Sequence, residues 1–155
     1  MNNNISDKTK SFELTVLLPA LNEEESIGRI IDETKTVLNK TQIKYCILIS
    51  DNGSTDKTIE VAEQHGVLIN HVKEKGYGSN LKTSIKQVKS KYLIFFDSDG
   101  SYDPNEIVTL YNEIKNTEVD MVYGNRLIKQ EKNSMPFLNR YLGTPVLSKL
   151  ISIFF

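Results

Sequence analysis

The segment Tyr92-Leu93-Ile94-Phe95-Phe96-Asp97-Ser98-Asp99-Gly100 decides the predicted fold, because an apolar run passes directly into two carboxylates and a glycine. A run that is apolar at every position is typical of a strand covered by helices on both faces, as in parallel sheets. Other short runs along the chain are also rich in branched and aromatic residues. We therefore predict five strands, over Leu14–Leu18, Tyr45–Ser50, Val67–His71, Tyr92–Phe96 and Asp120–Tyr123.

Longer amphipathic segments with a period of about 3.6 residues lie between these strands and predict helices. Three of the helix starts carry capping signals in the sequence. The predicted caps are Asn22 with Glu25, then Asp56, and then Asp103 with Pro104. This alternation of strands and helices favours right-handed crossovers and a mostly parallel sheet flanked by helices, which is the α/β class.

Composition makes several classes of protein improbable. The chain has 155 residues, enough for one domain with a hydrophobic core, and its formal net charge is -1. This balance provides no field that would hold nucleic acid, so no nucleic-acid partner is expected. The single cysteine, Cys46, excludes an internal disulfide and a cysteine-based zinc site. We expect it to be a small core residue in a reducing, cytoplasmic compartment.

A polar loop follows each predicted strand. Because ligands of open α/β sheets bind beyond the carboxyl ends of the strands, we expect these loops to meet at one edge and form a site. The convergence of carboxylates, glycines and cations at that edge is the main evidence for a function. The loops are Pro19–Glu24, Asp51–Asp56, Lys73–Gly78, Asp97–Tyr102 and Gly124–Arg126.

The acidic pair Asp97 and Asp99 is the sharpest single feature. Residues i and i+2 of an extended chain point the same way, so both carboxylates are predicted to face one point. Two such groups repel each other unless a cation lies between them. Mg²⁺ or Mn²⁺ suits this arrangement, because magnesium commonly joins one or two carboxylates to phosphate oxygens. The alternative is an acidic turn that only caps the next element.

The other loops have equally simple structural explanations. Asp51 is a candidate hydrogen-bond acceptor for a nucleobase, although Asn-Gly pairs such as the one that follows it are common turn formers. Lys75 has two interpretations, a contact with phosphate or a solvated side chain. The same two interpretations apply to Arg126. His65 and His71 have no partners at ligand spacing, so surface or core roles are expected for both.

Together these motifs resemble those of the family 2 glycosyltransferases with the GT-A fold, and most of all those of the dolichol- or polyprenyl-phosphate sugar synthases. The resemblance covers about residues 14 to 145. One departure is Asn52, where many relatives have an aspartate. The matching segments are Leu17–Glu24, Asp51–Asp56, Lys75–Gly78, Asp97–Pro104 and Gly124–Arg126.

The resemblance implies a role for residues in each loop. It implies that Asp97 and Asp99 form the family's DxD site for Mg²⁺ or Mn²⁺, with Ser101 as a further candidate ligand. Ser98 would meet ribose or phosphate through its backbone. Arg126 would contact the diphosphate or the acceptor phosphate, which makes Asp99 and Arg126 the candidate catalytic residues, and no base is assigned. The residues implied to contact the nucleotide are Pro19, Ala20, Asn22, Glu23, Asp51 at the base, Lys75 and Gly76.

Three regions are predicted along the chain. Residues 1–12 form a flexible N-terminus, and they are too polar for a signal peptide. Residues 13–134 form the nucleotide-sugar-binding domain, and 135–155 begin a membrane-facing, acceptor-side helical region. No segment reaches the roughly 20 apolar residues of a membrane-spanning helix. The apolar end suits a helix packed on the core, an interfacial anchor or a truncated protein; we expect truncation, with 137–155 as the candidate contact with a membrane or a second copy.

The preferred hypothesis is a transferase that moves a hexose from a UDP- or GDP-sugar to a polyprenyl phosphate or glycan acceptor at the cytoplasmic face of a membrane. The alternative is a non-catalytic module that binds the nucleotide-sugar and needs a partner chain. A dehydrogenase or a nucleotidyltransferase is disfavoured, because the first loop, Pro19–Glu24, lacks the glycines expected there.

Overall fold

The computed structural model describes residues 4–124. The chain divides into two compact units, Met1–Asp120 and Met121–Phe155, and within the described residues every helix and strand lies in the first unit. In chain order these elements are α1 (Ile5–Thr9), β1 (Leu14–Ala20), α2 (Ile27–Leu38), β2 (Tyr45–Asp51), α3 (Thr58–Gln64), β3 (Leu68–His71), α4 (Tyr77–Gln87), β4 (Tyr92–Phe95) and α5 (Glu106–Asn116).

The strands form one sheet in the order β3-β2-β1-β4, and every pair in it is parallel. Leu14 lies opposite both Tyr45 and Tyr92, so three strands start level with one another. At the other end, Asp51 lies opposite Ala20 on one side and His71 on the other. The predicted α/β class is confirmed, and the carboxyl ends of the strands share one edge.

Helices cover both faces of the sheet. Leu14, Val16 and Leu18 of β1 belong to a buried cluster that includes residues of α2, α3 and α5. Leu17 points to the opposite face and belongs to a second cluster that includes residues of α1 and α4. Successive side chains of a strand alternate between faces, and every residue of β1 is buried, so this strand is covered on both sides. Cys46 is buried next to Thr15, which confirms its predicted core role.

The fifth predicted strand does not form. Residues 121–124 have no regular secondary structure, and Asp120 lies in a bend. Two apolar side chains of the segment are exposed, Met121 by 69% and Tyr123 by 81%, as is the preceding Val119 by 50%. A strand is stabilised by a pairing partner and by burial of one face, so an alternating apolar pattern alone does not produce one. The prediction over Asp120–Tyr123 was wrong.

Two of the predicted helix starts also differ from the structure. Asn22 does not cap α2; its backbone has φ of 59° and its side chain binds another loop. A turn follows it, in which the carbonyl of Glu23 accepts hydrogen bonds from the N–H groups of Ser26 and Ile27, and the helix begins there. Glu25 therefore completes no capping box. The fourth predicted helix, α5, begins at Glu106 after a turn started by Asp103 rather than directly at it.

The N-terminal segment also differs from its prediction as a flexible region. From Ile5 to Thr9 it forms α1, and the side chains of both residues are buried. Ser6 Oγ donates to the carbonyl of Gln87 at 2.8 Å, and Thr9 Oγ1 accepts from the N–H of Lys89 at 3.0 Å. These bonds connect α1 to the end of α4, where Ile5 covers apolar side chains of β1 and β2.

Candidate functional site

The loops at the carboxyl edge of the sheet are connected by side-chain hydrogen bonds. We name them the β1–α2 loop (residues 21–26), the β2–α3 loop (residues 52–57), the β3–α4 loop (residues 72–76) and the acidic turn (residues 97–100). Each loop follows a strand of the parallel sheet. They correspond to the first four of the five polar loops that were predicted to converge.

The β1–α2 and β2–α3 loops bind each other in both directions. Asn22 Oδ1 accepts from the N–H of Thr55 at 2.8 Å. Glu24 donates its N–H to Asp56 Oδ2 at 3.1 Å, and Glu24 Oε2 accepts from the N–H of Lys57 at 2.9 Å. The left-handed φ of Asn22, which asparagine tolerates better than most residues, turns its side chain toward Thr55. Backbone groups of the two loops are therefore satisfied by side chains of the opposite loop.

Asp51 ends β2 and is buried. Its Oδ1 accepts from the N–H of Ser54 at 2.9 Å, and its Oδ2 lies 3.1 Å from Nδ1 of the largely exposed His71. Burial alone would raise the pKa of this carboxyl, but hydrogen bonds from Ser54, His71 and Gly53 outweigh it and hold the pKa below its ordinary value. Asp51 is therefore a fixed negative charge at neutral pH.

Asn52 holds the β3–α4 loop with both ends of its amide. Its Nδ2 donates to the carbonyls of Val72 at 3.3 Å and Glu74 at 2.7 Å. Its Oδ1 accepts from the N–H of Gly76 at 2.8 Å. Because an ionised aspartate has no donor, this pattern requires an amide. The departure from an aspartate at this position therefore has a structural explanation.

Lys75 approaches the β2–α3 loop rather than extending into solvent. Its Nζ donates to the carbonyl of Asn52 at 2.8 Å. Gly53 has φ of +90°, a conformation that favours glycine, and a Cβ there would meet that Nζ, so the end of the lysine side chain would have to move. The ammonium group of Lys75 thus lies at the residue that follows Asp51 in the chain. Lys75 also directly precedes Gly76, the cap residue of α4.

The acidic turn is attached to the end of β1 through Ser98. This residue is 2% exposed, and its Oγ donates to the carbonyl of Pro19 at 2.7 Å. Its own carbonyl accepts from Ser26 Oγ, also at 2.7 Å. Strand β4 ends at Phe95, so Asp97 and Asp99 lie in the turn and not on the strand. With Ser98 directed inward, the side chains on either side of it are more accessible to solvent.

Both carboxylates of the turn accept hydrogen bonds. Asp97 Oδ1 accepts from the hydroxyl of Tyr77 at 2.7 Å, and Asp99 Oδ1 accepts from the N–H of Ser101 at 2.8 Å. No group of three or more His, Cys, Asp or Glu side chains gathers as a metal site within residues 4–124. The pair nevertheless fits Mg²⁺ or Mn²⁺, because such ions take hard carboxylate oxygens and complete their shell with water and phosphate.

The remaining predicted site residues have different environments. Pro19 and Ala20 are buried at the end of β1, and their carbonyls accept from Ser98 and from the N–H of Asn52. Glu23 is half-buried and accepts from Ser26 Oγ at 2.9 Å. Arg126 and the segment 137–155 lie outside the described residues.

Several residues that contact the predicted site were not among its predicted members, and Tyr77, Ser26 and His71 are three of them. The predicted strand ends were the available signal for His71, because parallel neighbours that end level bring their last residues together, as Asp51 and His71 are here. Tyr77 lies in the predicted loop Lys73–Gly78, but no pattern assigns a contact to its side chain, and no pattern indicates Ser26. Their contacts depend on where α4 and α2 begin, and helix boundaries are difficult to predict from sequence.

Comparison with known proteins identifies the class. A family model described as glycosyl transferase family 2 matches residues 15–145. The chain therefore belongs to glycosyl transferase family 2, a family of sugar-transferring enzymes, and the resemblance seen in its motifs is confirmed.

The similar proteins differ in how much of their length this chain covers. It is 34% identical to the low-salt glycan biosynthesis hexosyltransferase Agl6 of Haloferax volcanii, over 92% of this chain and 34% of that protein. It is 30% identical to RfbJ of Shigella flexneri, over 80% of this chain and 93% of that protein. Dodecaprenyl-phosphate galacturonate synthase of Rhizobium johnstonii is 24% identical, over 77% of this chain and 37% of that protein. The chain thus spans about a third of the length of the first of these relatives.

Among solved structures, glucosyl-3-phosphoglycerate synthase of Mycobacterium tuberculosis has a similar fold. Its complex with UDP matches with a TM-score of 0.65 at 22% identity, over 96% of this chain and 53% of that one. Its complex with Mn²⁺, UDP-glucose and phosphoglyceric acid matches with a TM-score of 0.60 at 24% identity, over 74% of this chain and 43% of that one. The predicted GT-A arrangement of a parallel sheet between helices is confirmed.

Proposed function

We propose that this chain binds a UDP- or GDP-hexose at the carboxyl edge of its sheet and serves the transfer of the hexose to an acceptor. The observation that carries the proposal is the position of the acidic turn. Ser98 fixes it to the end of β1, beside the buried carboxylate of Asp51 and the loops that Asn22 and Asn52 hold together. A nucleotide at this edge would have a negative acceptor for its base at one end and a metal site for its diphosphate at the other.

The chain's own residues would divide the work between binding and charge. Asp51, which is ionised at neutral pH, would accept a hydrogen bond from an N–H of the base. Asn22, Glu23, Lys75 and Gly76 would border the nucleotide, above the buried Pro19 and Ala20. Ser98 would approach the ribose or phosphate through its backbone, and Arg126 would approach the diphosphate or the acceptor phosphate.

Asp97 and Asp99 would hold Mg²⁺ or Mn²⁺, with Ser101 as a further candidate ligand. The ion would neutralise charge on the departing diphosphate when it is bound. The similarity to a synthase solved with Mn²⁺ and UDP-glucose supports the use of a divalent ion. Within this proposal the catalytic residues would be Asp99 and Arg126.

We propose a polyprenyl phosphate as the acceptor, supported by the similarity to a dodecaprenyl-phosphate synthase. A phosphate acceptor is already ionised at neutral pH, so the reaction would need no general base. Such an acceptor would place the protein at the cytoplasmic face of a membrane, with residues 137–155 as the contact with the membrane or with a second copy. Within residues 4–124, none of the helices has the length and apolar character to span a bilayer.

A thermal-shift screen of UDP-glucose, other UDP-sugars and GDP-mannose, with and without Mn²⁺, tests the proposal. A ligand at roughly 100 times its Kd adds about 2.7 kcal/mol to the free energy of unfolding. This gain raises the Tm by several degrees in a domain of this size. One nucleotide class should stabilise the wild type, and both chelation and the variant D99N should abolish the metal-dependent part.

The matched control is D7N, which removes an exposed carboxylate of α1 that pairs with Lys10. It should retain the full response. A flat response of the wild type to every nucleotide-sugar would contradict the proposal. Binding without transfer of labelled hexose to dodecaprenyl phosphate would instead favour the alternative, a binding module that needs a partner chain.

A further inference from the structure

Tyr77 contacts the proposed metal site from a different element of the fold. It is the first residue of α4, and its hydroxyl donates to Asp97 Oδ1 at 2.7 Å. A carboxylate has two oxygens that together accept several hydrogen bonds or a metal ion. A donor held on one oxygen restricts the rotation of the group and leaves the other oxygen available for coordination.

The start of α4 is fixed by buried contacts, so the position of Tyr77 does not depend on its own exposed ring. Asn80, one turn further on, is buried, and its Nδ2 donates to the carbonyl of Ser50 at 2.8 Å. Asn80 also donates its N–H to the carbonyl of Gly76 at 3.0 Å. Ser84 completes the network, since its Oγ accepts from Asn70 Nδ2 at 2.8 Å. Polar groups satisfied in this way hold α4 against β2 and β3 in one arrangement.

The same start is connected to the nucleotide end of the site. Asn52, the residue after Asp51, holds the N–H of Gly76, and Gly76 has φ of +109° at the turn into the helix. A continuous series of contacts thus joins the end of β2 through the β3–α4 loop to Tyr77, and from Tyr77 to Asp97.

We propose that Tyr77 is a positioning residue for the divalent cation: its hydroxyl orients the Asp97 carboxylate so that the second oxygen coordinates the ion. This inference rests on the proposed function, because it assigns a role within the same metal site. Groups that hydrogen-bond to metal ligands typically change metal affinity by about 10- to 100-fold when they are removed. The hydroxyl of Tyr77 has the position of such a group.

The variant Y77F tests this role because it removes only the hydroxyl. The Kd for Mn²⁺ is measured from the electron paramagnetic resonance signal of the free ion, with UDP saturating in one series and GDP in another. Y77F should weaken Mn²⁺ binding by about tenfold or more. Its affinity for the same nucleotide in the absence of metal should equal that of the wild type, which separates positioning of the cation from general damage to the site.

The matched control is Y45F, which removes a tyrosine hydroxyl bound to Asn39 at 2.8 Å near the start of β2, at the opposite edge of the sheet. Its Mn²⁺ affinity should equal that of the wild type, and the metal-free Tm of both variants should stay close to the wild-type value. Equal Mn²⁺ affinity in Y77F and wild type would overturn the inference.

Three other results would also be decisive. Tighter Mn²⁺ binding by Y77F would mean that the hydroxyl competes with the ion, which overturns the positioning role. Loss of metal-free nucleotide binding by Y77F would mean that Tyr77 serves the nucleotide rather than Asp97. If the wild type binds no Mn²⁺ with either nucleotide, the proposed function itself fails, and that outcome is distinct from a failure of Tyr77 alone.

Discussion

Asn52 shows how one side chain can determine the shape of a loop. Its amide donates to the carbonyls of Val72 and Glu74 and accepts from the N–H of Gly76. An ionised aspartate of the same shape would direct a negative oxygen at two carbonyl oxygens. Since Asn52 is buried, water could not relieve that conflict.

We therefore expect N52D to destabilise the protein at neutral pH. Loss of hydrogen bonds that leaves buried polar groups without partners costs about 1–3 kcal/mol. Urea denaturation followed by circular dichroism measures the change. The control is N112D, at an exposed position of α5, where the change should stay within about 0.5 kcal/mol. Equal midpoints for N52D and wild type would show that the loop does not depend on this amide.

Among individual residues, the sequence predicts those members of the site whose place follows from the strands. Asp51 comes at the end of β2 as expected, and Asp97 and Asp99 come just beyond the end of β4. Tyr77 and Ser26 could not be predicted, because their contacts depend on the residue at which a helix begins. A shift of α4 by one residue turns a side chain by about 100° around the helix axis.

Among the elements, α1 differs most from the expectation drawn from its sequence, which was a flexible segment. Its five residues are too few to form a stable helix alone. Ile5 nevertheless packs against Leu17 and Leu48 in the second core cluster, and Ser6 donates a hydrogen bond to the last residue of α4. The segment is thus an integral part of the second core cluster.

The variant I5A should therefore destabilise the protein by about 2–4 kcal/mol, as removal of a buried isoleucine side chain usually does. Guanidinium denaturation provides the measurement. A matched change, I85A, removes the same atoms from an exposed position of α4 and should cost clearly less. If the two variants lose the same stability, the packing of α1 on the sheet is not maintained in solution.

Continuous apolar runs predict the inner strands of this sheet better than short mixed segments do. Strands β1, β2 and β4 were predicted within a few residues because each contains a continuous apolar run. That run is buried on both faces in β1 and β2, whereas β4, at one end of the described sheet, is only partly buried, so the expectation of a fully covered strand there was wrong. The segment Asp120–Tyr123 has a comparable composition, yet it forms no strand. Pairing and burial are decided by the rest of the fold, and no local pattern contains that information.

For the protein as a whole, the stability of the fold in acid depends on three carboxyl groups that hydrogen-bond to other parts of the chain. The hydrogen bond from Tyr111 lowers the pKa of Glu13, which joins the start of β1 to α5. Burial would raise the pKa of Asp51 and of Asp56, but hydrogen bonds outweigh it and lower both. The pKa of each group is lower in the folded state than in the unfolded state. Each group therefore contributes its full stabilisation at a pH above its unfolded pKa, which is about 3.9 for aspartate and about 4.3 for glutamate.

We expect the free energy of unfolding to stay nearly constant from neutral pH down to about 5 and then to fall as the pH drops through the lowered pKa values. Urea titrations across this range measure the profile. D51N, which has no titrating group there, should be less stable than the wild type at neutral pH and should approach it in acid. D7N should keep the wild-type profile. A gap between D51N and wild type that widens in acid would contradict the sign of this effect.

The mutual attachment of the β1–α2 and β2–α3 loops has a consequence for engineering and for divergence. Asn22 and Glu24 satisfy backbone groups that belong to the other loop, and Asp56 returns the contact. A chimera that takes only one of these loops from a relative would leave backbone N–H groups of both loops without hydrogen-bond acceptors. A change of donor preference should therefore require replacement of both loops together. We also expect the two loops to vary together among natural relatives.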